Sequence, residues 1–191
     1  MEIASFSEQR QSYFPFEPIP NVTVKAVTLA EAYAVTGELT DKVFTPSADL
    51  GLLPFQPTPT LLKEQSRQHR EQFVFYDGEN RPIGWSIGEQ RQGENFFMTW
   101  SGILPEWQRK GIYSTFYKQF RTYIKSLGYV RITSNHMVNN RSVLIAKLKA
   151  GFIITGFSLD ERIGACVWMT DFLDSTQAEG FEKAFSLERY Q

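Results

Sequence analysis

Gln108-Arg109-Lys110-Gly111-Ile112-Tyr113-Ser114 is a run whose residue types could hold an anion. It lies between the apolar run 96–104 and the amphipathic stretch 112–127, so a strand, a tight basic turn and a helix are expected in that order. A helix start leaves backbone N–H groups without intrahelical acceptors. A glycine at 111 lets a phosphate oxygen approach them with no Cβ in the way. Arg109 and Lys110 would add positive charge there, and Ser114 a hydroxyl donor or a local cap.

Other chemistries find less in the sequence. Cys166, the only cysteine, sits in Gly164-Ala165-Cys166-Val167-Trp168-Met169 and reads as a strand thiol. That excludes an internal disulfide and an all-cysteine metal cluster. Ser101 and Ser134 have no partner arrangement for nucleophilic catalysis, and Gly102 follows Ser101 without the spacing of a nucleophile elbow. His69 and His136 are far apart and lack carboxylates at ligand spacing, so no metal site is expected. As proton acceptors the sequence offers Glu89, Glu94 and His136, with Glu94 placed in a solvated turn.

The elements that must position these groups follow from periodicity and turn chemistry. Residues 6–20 carry Phe14, Pro15, Phe16, Pro18 and Pro20 and are expected as an extended aromatic segment laid over the body. A strand is expected over 21–27. A helix follows, with Thr28 as cap and Glu31 completing a capping box. Four prolines between 46 and 59 indicate a loop anchored by apolar residues, and Thr60 could cap a further helix over 61–69. Short aromatic strands separated by Asp77-Gly78 and Gln92-Gly93 then form an antiparallel meander up to Ile103. Beyond the glycine turn come a helix ended by Gly128, a strand over 130–134, a helix over 140–150 and two final strands over 151–158 and 163–170. The tail 171–191 carries Phe181, Phe185 and Leu187 and could return to the body as one helix. The order is that of a mixed α/β single domain spanning 1–191.

The whole chain sets few further limits. Its 191 residues are enough for one compact domain, and 20 basic against 21 acidic residues argue for neither a nucleic-acid nor a membrane-surface partner. No leader-like segment or membrane-length apolar run stands out, so a cytoplasmic location is expected.

Read as strand, glycine turn, helix, strand, helix and Gly-Phe, residues 96–152 resemble the GNAT superfamily of acetyl-coenzyme A-dependent N-acetyltransferases. The acyl-CoA loop of that family reads Gln or Arg, two residues, Gly, one residue, then Gly or Ala. Gln108, Gly111 and Tyr113 occupy those positions, after Leu104-Pro105-Glu106-Trp107. Downstream, Asn140 and Gly151-Phe152 match a further pattern in which Lys147 stands where the family often has tyrosine.

The resemblance implies an α/β fold with a central, mostly antiparallel sheet flanked by helices, and acetyl-CoA as acyl donor. Backbone N–H groups from Gln108 through Gly111, and those of Ile112, Tyr113 and Ser114, would hold the pyrophosphate beside Arg109 and Lys110. A splayed strand pair, 96–104 beside 130–134, would admit the pantetheine arm, whose amides would pair with strand backbone near Gly102, Ile103 and Leu104, and Asn140 would contact it. Tyr113 replaces a small residue and either crowds the phosphate or points away. Lys147 replaces the group that commonly protonates the departing thiolate; when charged it could still stabilise developing charge on sulfur. With Glu89 or His136 as base, the implied activity is direct attack of a primary amine, from a small molecule or peptide, on the thioester. The alternative is a CoA-binding regulatory or interaction module with weak or no chemistry. From the residues themselves, most of Trp85, Trp100, Phe73, Phe75, Phe96 and Phe97 are expected in the core, while one or two of them, with Phe55 or Tyr33, could wall an acceptor pocket that favours an amphipathic or aromatic amine over a polyamine. A homodimer would form through the final strands or the aromatic N-terminal segment.

Overall fold

The computed structural model describes residues 3–44, 68–160 and 164–185. Eight strands form one sheet: β1 (Phe16–Ile19), β2 (Val22–Ala26), β3 (Arg70–Asp77), β4 (Pro82–Gln90), β5 (Asn95–Ile103), β6 (Arg131–Met137), β7 (Ile153–Asp160) and β8 (Gly164–Phe172). Their order across the sheet is β1-β2-β3-β4-β5-β6-β8-β7. Every neighbouring pair is antiparallel except β5 with β6. Among the described residues, five α-helices accompany the sheet: α1 (Ile3–Gln11), α2 (Leu29–Val43), α3 (Ile112–Ser126), α4 (Arg141–Lys149) and α5 (Ser175–Phe185).

Alternation along the strands divides the core between two faces. Phe73 and Phe75 of β3, Ile83 of β4 and Phe96, Met98 and Ile103 of β5 point to the face covered by α3, where Ile112, Phe116, Tyr117, Phe120, Tyr123 and Ile124 meet them. Trp85 and Ile87 of β4 point to the other face, against Ala32 and Leu39 of α2. The meander, the glycine turn, both central helices and the two last strands lie where the sequence places them. The tail helix is α5, whose Phe181 ring lies 5.5 Å from Phe172.

At the start of α2, Thr28 accepts from the Glu31 N–H, while the Glu31 carboxylate accepts from the Thr28 N–H at 2.7 Å. This is the expected capping box. Thr28→Ala removes the acceptor and should cost about 1 kcal/mol. The expected result is a lower urea midpoint with an unchanged slope.

The N-terminal segment differs from expectation. Residues 3–11 form α1, and only Phe16–Ile19 is extended, as the edge strand β1. The prolines start at position 15, so nothing in 3–11 opposes a helix. The helix is fixed by two side chains: Phe6 stacks on His69 at 4.1 Å, and Arg10 forms two hydrogen bonds with Glu71 at 2.8 and 2.9 Å. The expected proline-rich loop over 46–59, with Phe55, and nearly all of the expected helix over 61–69 lie outside the described residues. His69 itself is non-helical and leads into β3.

Candidate functional site: a splayed strand pair beside a helix start

The site begins with an irregularity in β5. Its register against β4 slips between the pairs Ile87–Trp100 and Gly88–Met98, which leaves Thr99 as an extra residue. Such a bulge bends its strand and increases the local twist. Gly88 permits the bend, because a Cβ there would come within 2.3 Å of the Phe96 ring. β5 and β6 pair in parallel only from Asn95–Arg131 to Phe97–Thr133. From Met98 and Ser134 onward they separate, although β6 stays paired with β8 as far as Met137. A V-shaped gap opens in the middle of the sheet.

The open arm of β5 presents unpaired backbone to this gap. Leu104 donates its N–H to Ile83 O at 2.9 Å, which turns the N–H and C=O of Ile103 away from β4 and into the opening. Leu104 therefore offers no amide to a ligand, whereas Ile103 does. Gln108 donates its side-chain amide to Ile103 O at 2.8 Å and ties the loop to the end of the strand.

The loop then runs through a 3-10 turn, Pro105–Trp107, into α3. Gly111 is the N-cap residue, with φ +84° and only open space where a Cβ would stand. That left-handed conformation favours glycine. The first-turn N–H groups of Ile112, Tyr113 and Ser114 find no acceptor among the described residues. Arg109 and Lys110 are exposed beside them, and the Lys110 Nζ lies over the Trp107 ring at 4.7 Å. The Ser114 hydroxyl donates to Gly111 O at 2.9 Å, so it serves as a local cap. Tyr113 does not crowd this cradle. Its ring turns inward beside Phe116 and Tyr117, and its hydroxyl reaches Met98 Sδ at 3.8 Å under the bulged strand.

Lys147 closes the same side of the gap. It is only 2% exposed, while its α4 neighbours Ile145 and Leu148 are 53% and 48% exposed, the reverse of ordinary amphipathic burial. Its Nζ donates to Met98 Sδ at 3.1 Å and lies 4.2 Å from the centroid of Phe152, 5.3 Å from Tyr117 and 5.6 Å from Tyr113. Among the described residues no carboxylate reaches it: Asp171 is engaged by the Tyr117 hydroxyl at 2.6 Å and by Arg121 at 2.7 Å. Burial pulls its pKa down to about 7, and the charge of Asp171 restores only part of the difference.

The remaining candidates occupy distinct places. His136 lies on the α3 side of β6, half-buried, with its Nε2 3.0 Å from the Ser134 hydroxyl. Burial and the nearby Lys147 push its pKa down to about 4, making it a weak base at neutral pH. Glu89 follows Trp85 and Ile87 on the α2 face, beside Phe97 at the vertex of the V, and is ion-paired with Arg70 at 3.3 Å and Arg91 at 2.9 Å. Glu94 is exposed in its turn. Asn140 caps α4 by accepting from Val143 N–H at 3.4 Å, which engages its side-chain oxygen. Tyr33 is exposed on α2.

Sequence reasoning missed Met98, Ser134 and Tyr117 as walls of the opening. Tyr117 carried a signal, since it lies one helical turn after Tyr113 on the same face. Met98 carried none, because its position depends on the bulge.

No protein-family model matches the sequence, and no curated protein matches it. Solved structures do match the fold. The ribosomal-protein-S18-alanine N-acetyltransferase of Escherichia coli superposes with a TM-score of 0.61 at 9% identity, over 80% of this chain and 94% of that one. The spermidine N-acetyltransferase of Vibrio cholerae, in a dodecameric structure, superposes with a TM-score of 0.61 at 16% identity, over 84% of this chain and 99% of that one. With its bulged β5, its splayed partner and its glycine-capped α3, the chain has the GNAT acetyltransferase fold.

Proposed function

We propose that the chain is an acyl-CoA-dependent N-acyltransferase, with acetyl-CoA as donor, that acylates a primary amine by direct attack. The observation that carries this reading is the V-shaped gap, which opens an unpaired strand edge onto the free first turn of α3. The fit to an acyl-CoA is chemical. The Ile103 amide suits the amides of a pantetheine arm, while the first-turn N–H groups with Arg109 and Lys110 suit a pyrophosphate.

The amine would arrive from the α2 face, where Glu89 stands beside Phe97. Its carboxylate, held by Arg70 and Arg91, is the group that would take a proton from an incoming ammonium. From the α3 face Lys147 already donates a hydrogen bond to a sulfur, and in its ammonium form it can pass a proton to a departing thiolate. The alternative, a CoA-binding module without chemistry, is favoured by one observation: the Tyr113 ring and Lys147 lie close across the gap beneath Met98. Thiol release from acetyl-CoA in the presence of an amine separates the two readings.

The founding test is calorimetric titration with acetyl-CoA and with desulfo-CoA. Saturable binding near one ligand per chain supports the reading; absence of binding by folded protein removes both the enzyme and the binding module. Gly111→Ala should weaken acetyl-CoA binding roughly 10-fold, because a Cβ in the left-handed region costs about 1–2 kcal/mol and the loop relaxes to avoid it. Unchanged affinity would place the phosphates elsewhere.

Among acceptors, phenethylamine should release thiol faster than spermidine. The Phe97 ring lies tilted against Trp168 at 5.7 Å on the proposed acceptor side and the Arg91 guanidinium lies 4.8 Å over Phe97, so an aromatic monoamine meets rings whereas a polycation meets positive charge. A faster reaction with spermidine would count against this acceptor class. A homodimer through the final strands would use the edge strand β7, where Phe157 and Leu159 are exposed.

A further inference from the structure

Lys147 combines features that a proton donor alone does not require. A buried lysine without a carboxylate partner gives up its proton far more readily than an exposed one, and the free primary amine so formed is a nucleophile. The groups facing it are the rings of Tyr113, Tyr117 and Phe152, the thioether of Met98 and, from β6, the neutral His136; Asp171 acts only from behind Tyr117. None of these competes for the nitrogen lone pair: Tyr117 gives its proton to Asp171, and Tyr113 points at Met98. The amine lies beside the gap into which the donor's thioester would enter.

We propose that Lys147 is an acyl acceptor in its own right: when no amine is bound, the chain transfers the acyl group of an acyl-CoA thioester to its own Lys147 Nζ. This rests on the reading of the gap as the donor site. The Nζ lone pair forms a bond to the thioester carbonyl carbon, the carbon–sulfur bond breaks with its electron pair leaving on sulfur, and one N–H proton passes to the thiolate. The products are an N-acyl-lysine and free coenzyme A thiol, with no oxidant, reductant or further reactant.

The surroundings favour that product. An ammonium in this box pays a desolvation cost that rings and a thioether only partly offset, whereas an amide carries no charge. The amide does not revert in water, so the modification is one acyl group per chain and occupies the space a second thioester needs. Donor without acceptor therefore switches the site off.

The test is incubation of the full chain with acetyl-CoA alone at pH 7, followed by intact mass and peptide mapping, beside calorimetric titration of the same preparation. The expected result is one acetyl group per chain on Lys147, stable to hydroxylamine, with the exposed Lys110, Lys118 and Lys149 unmodified. At that pH exposed lysines are almost wholly protonated. Preincubation should lower the initial rate with phenethylamine in proportion to the fraction acetylated, and Lys147→Met, checked by thermal melting, should take up no acetyl group. Binding of acetyl-CoA without acetylation at Lys147, or acetylation spread evenly over exposed lysines, overturns the inference and leaves the proposed function standing. Absence of acetyl-CoA binding overturns both.

Discussion

Lys147→Met should lower kcat for acetyl transfer to phenethylamine by roughly 100-fold and at the same time raise the melting temperature. The rate loss follows from removing the side chain proposed to give a proton to the departing sulfur, since general acid catalysis contributes about 100-fold or more. The gain in stability follows from linkage. The folded-state pKa of Lys147 is pulled down to about 7 from 10.5, so between those values the unfolded chain binds a proton that the folded chain does not. Wild-type stability therefore carries the full penalty below pH 7, recovers as pH rises from 7 toward 10.5, and has lost the penalty above that. Methionine has similar volume and no charge, and should relieve on the order of 3 kcal/mol at pH 7, a rise of roughly 5–10 °C in melting temperature. The gap between variant and wild type should close by about pH 10. In the pH profile, the wild-type rate should fall as Lys147 loses its proton above about pH 7, and Lys147→Tyr should move that limb upward. A variant that is slower and less stable would show that Lys147 is a packing residue.

The glycine turn and helix start at Gly111 were legible because their signal is local. Gly111 between a strand and an amphipathic helix needs no tertiary information to read as a helix start, and the capping box of Thr28 and Glu31 is likewise written within four residues. The V-shaped gap was expected only from the family resemblance, since it depends on the bulge at Thr99 and on Gly88 giving room to Phe96 from the neighbouring strand. The orientation of α4 is not written in its own pattern: the apolar Ile145 and Leu148 suggest the buried face, yet Lys147 points inward because Tyr113 and Tyr117 of α3 close a box with Phe152, just beyond α4, only when the two helices come together. Such conflicts between local pattern and fold concentrate at functional sites. For α1 the visible prolines outweighed a hidden partner, since Arg10 is anchored by Glu71, sixty-one residues away.

Glu71→Gln should cost about 3 kcal/mol of stability. Glu71 is 1% exposed and receives hydrogen bonds from Arg10 at 2.8 and 2.9 Å, from His69 at 2.7 Å and from the Tyr123 hydroxyl at 2.7 Å, so one carboxylate joins α1, β3 and α3. Tyr129 meets the far side of His69 at 2.7 Å and extends the network. Burial alone would raise the Glu71 pKa, but the hydrogen bonds from His69, Arg10 and Tyr123 and the Arg10 charge outweigh it and hold the pKa below its ordinary 4.5. A depressed carboxyl pKa contributes stability that is fully present above 4.5 and is lost as pH falls through the folded value. The difference between Glu71→Gln and wild type should therefore be constant from pH 5 upward and shrink in stronger acid. Most of the loss comes from leaving the Arg10 guanidinium half-buried without its counter-charge. Adding Arg10→Met to Glu71→Gln should then recover part of the stability, with the two changes far from additive in urea titrations. Strict additivity would mean that the ion pair contributes little and that α1 is held by the Phe6–His69 stack. Because the network gathers at the C-terminal end of α3, the variant should still bind acetyl-CoA with wild-type affinity well below its melting temperature, which separates a clamp on the fold from a part of the site.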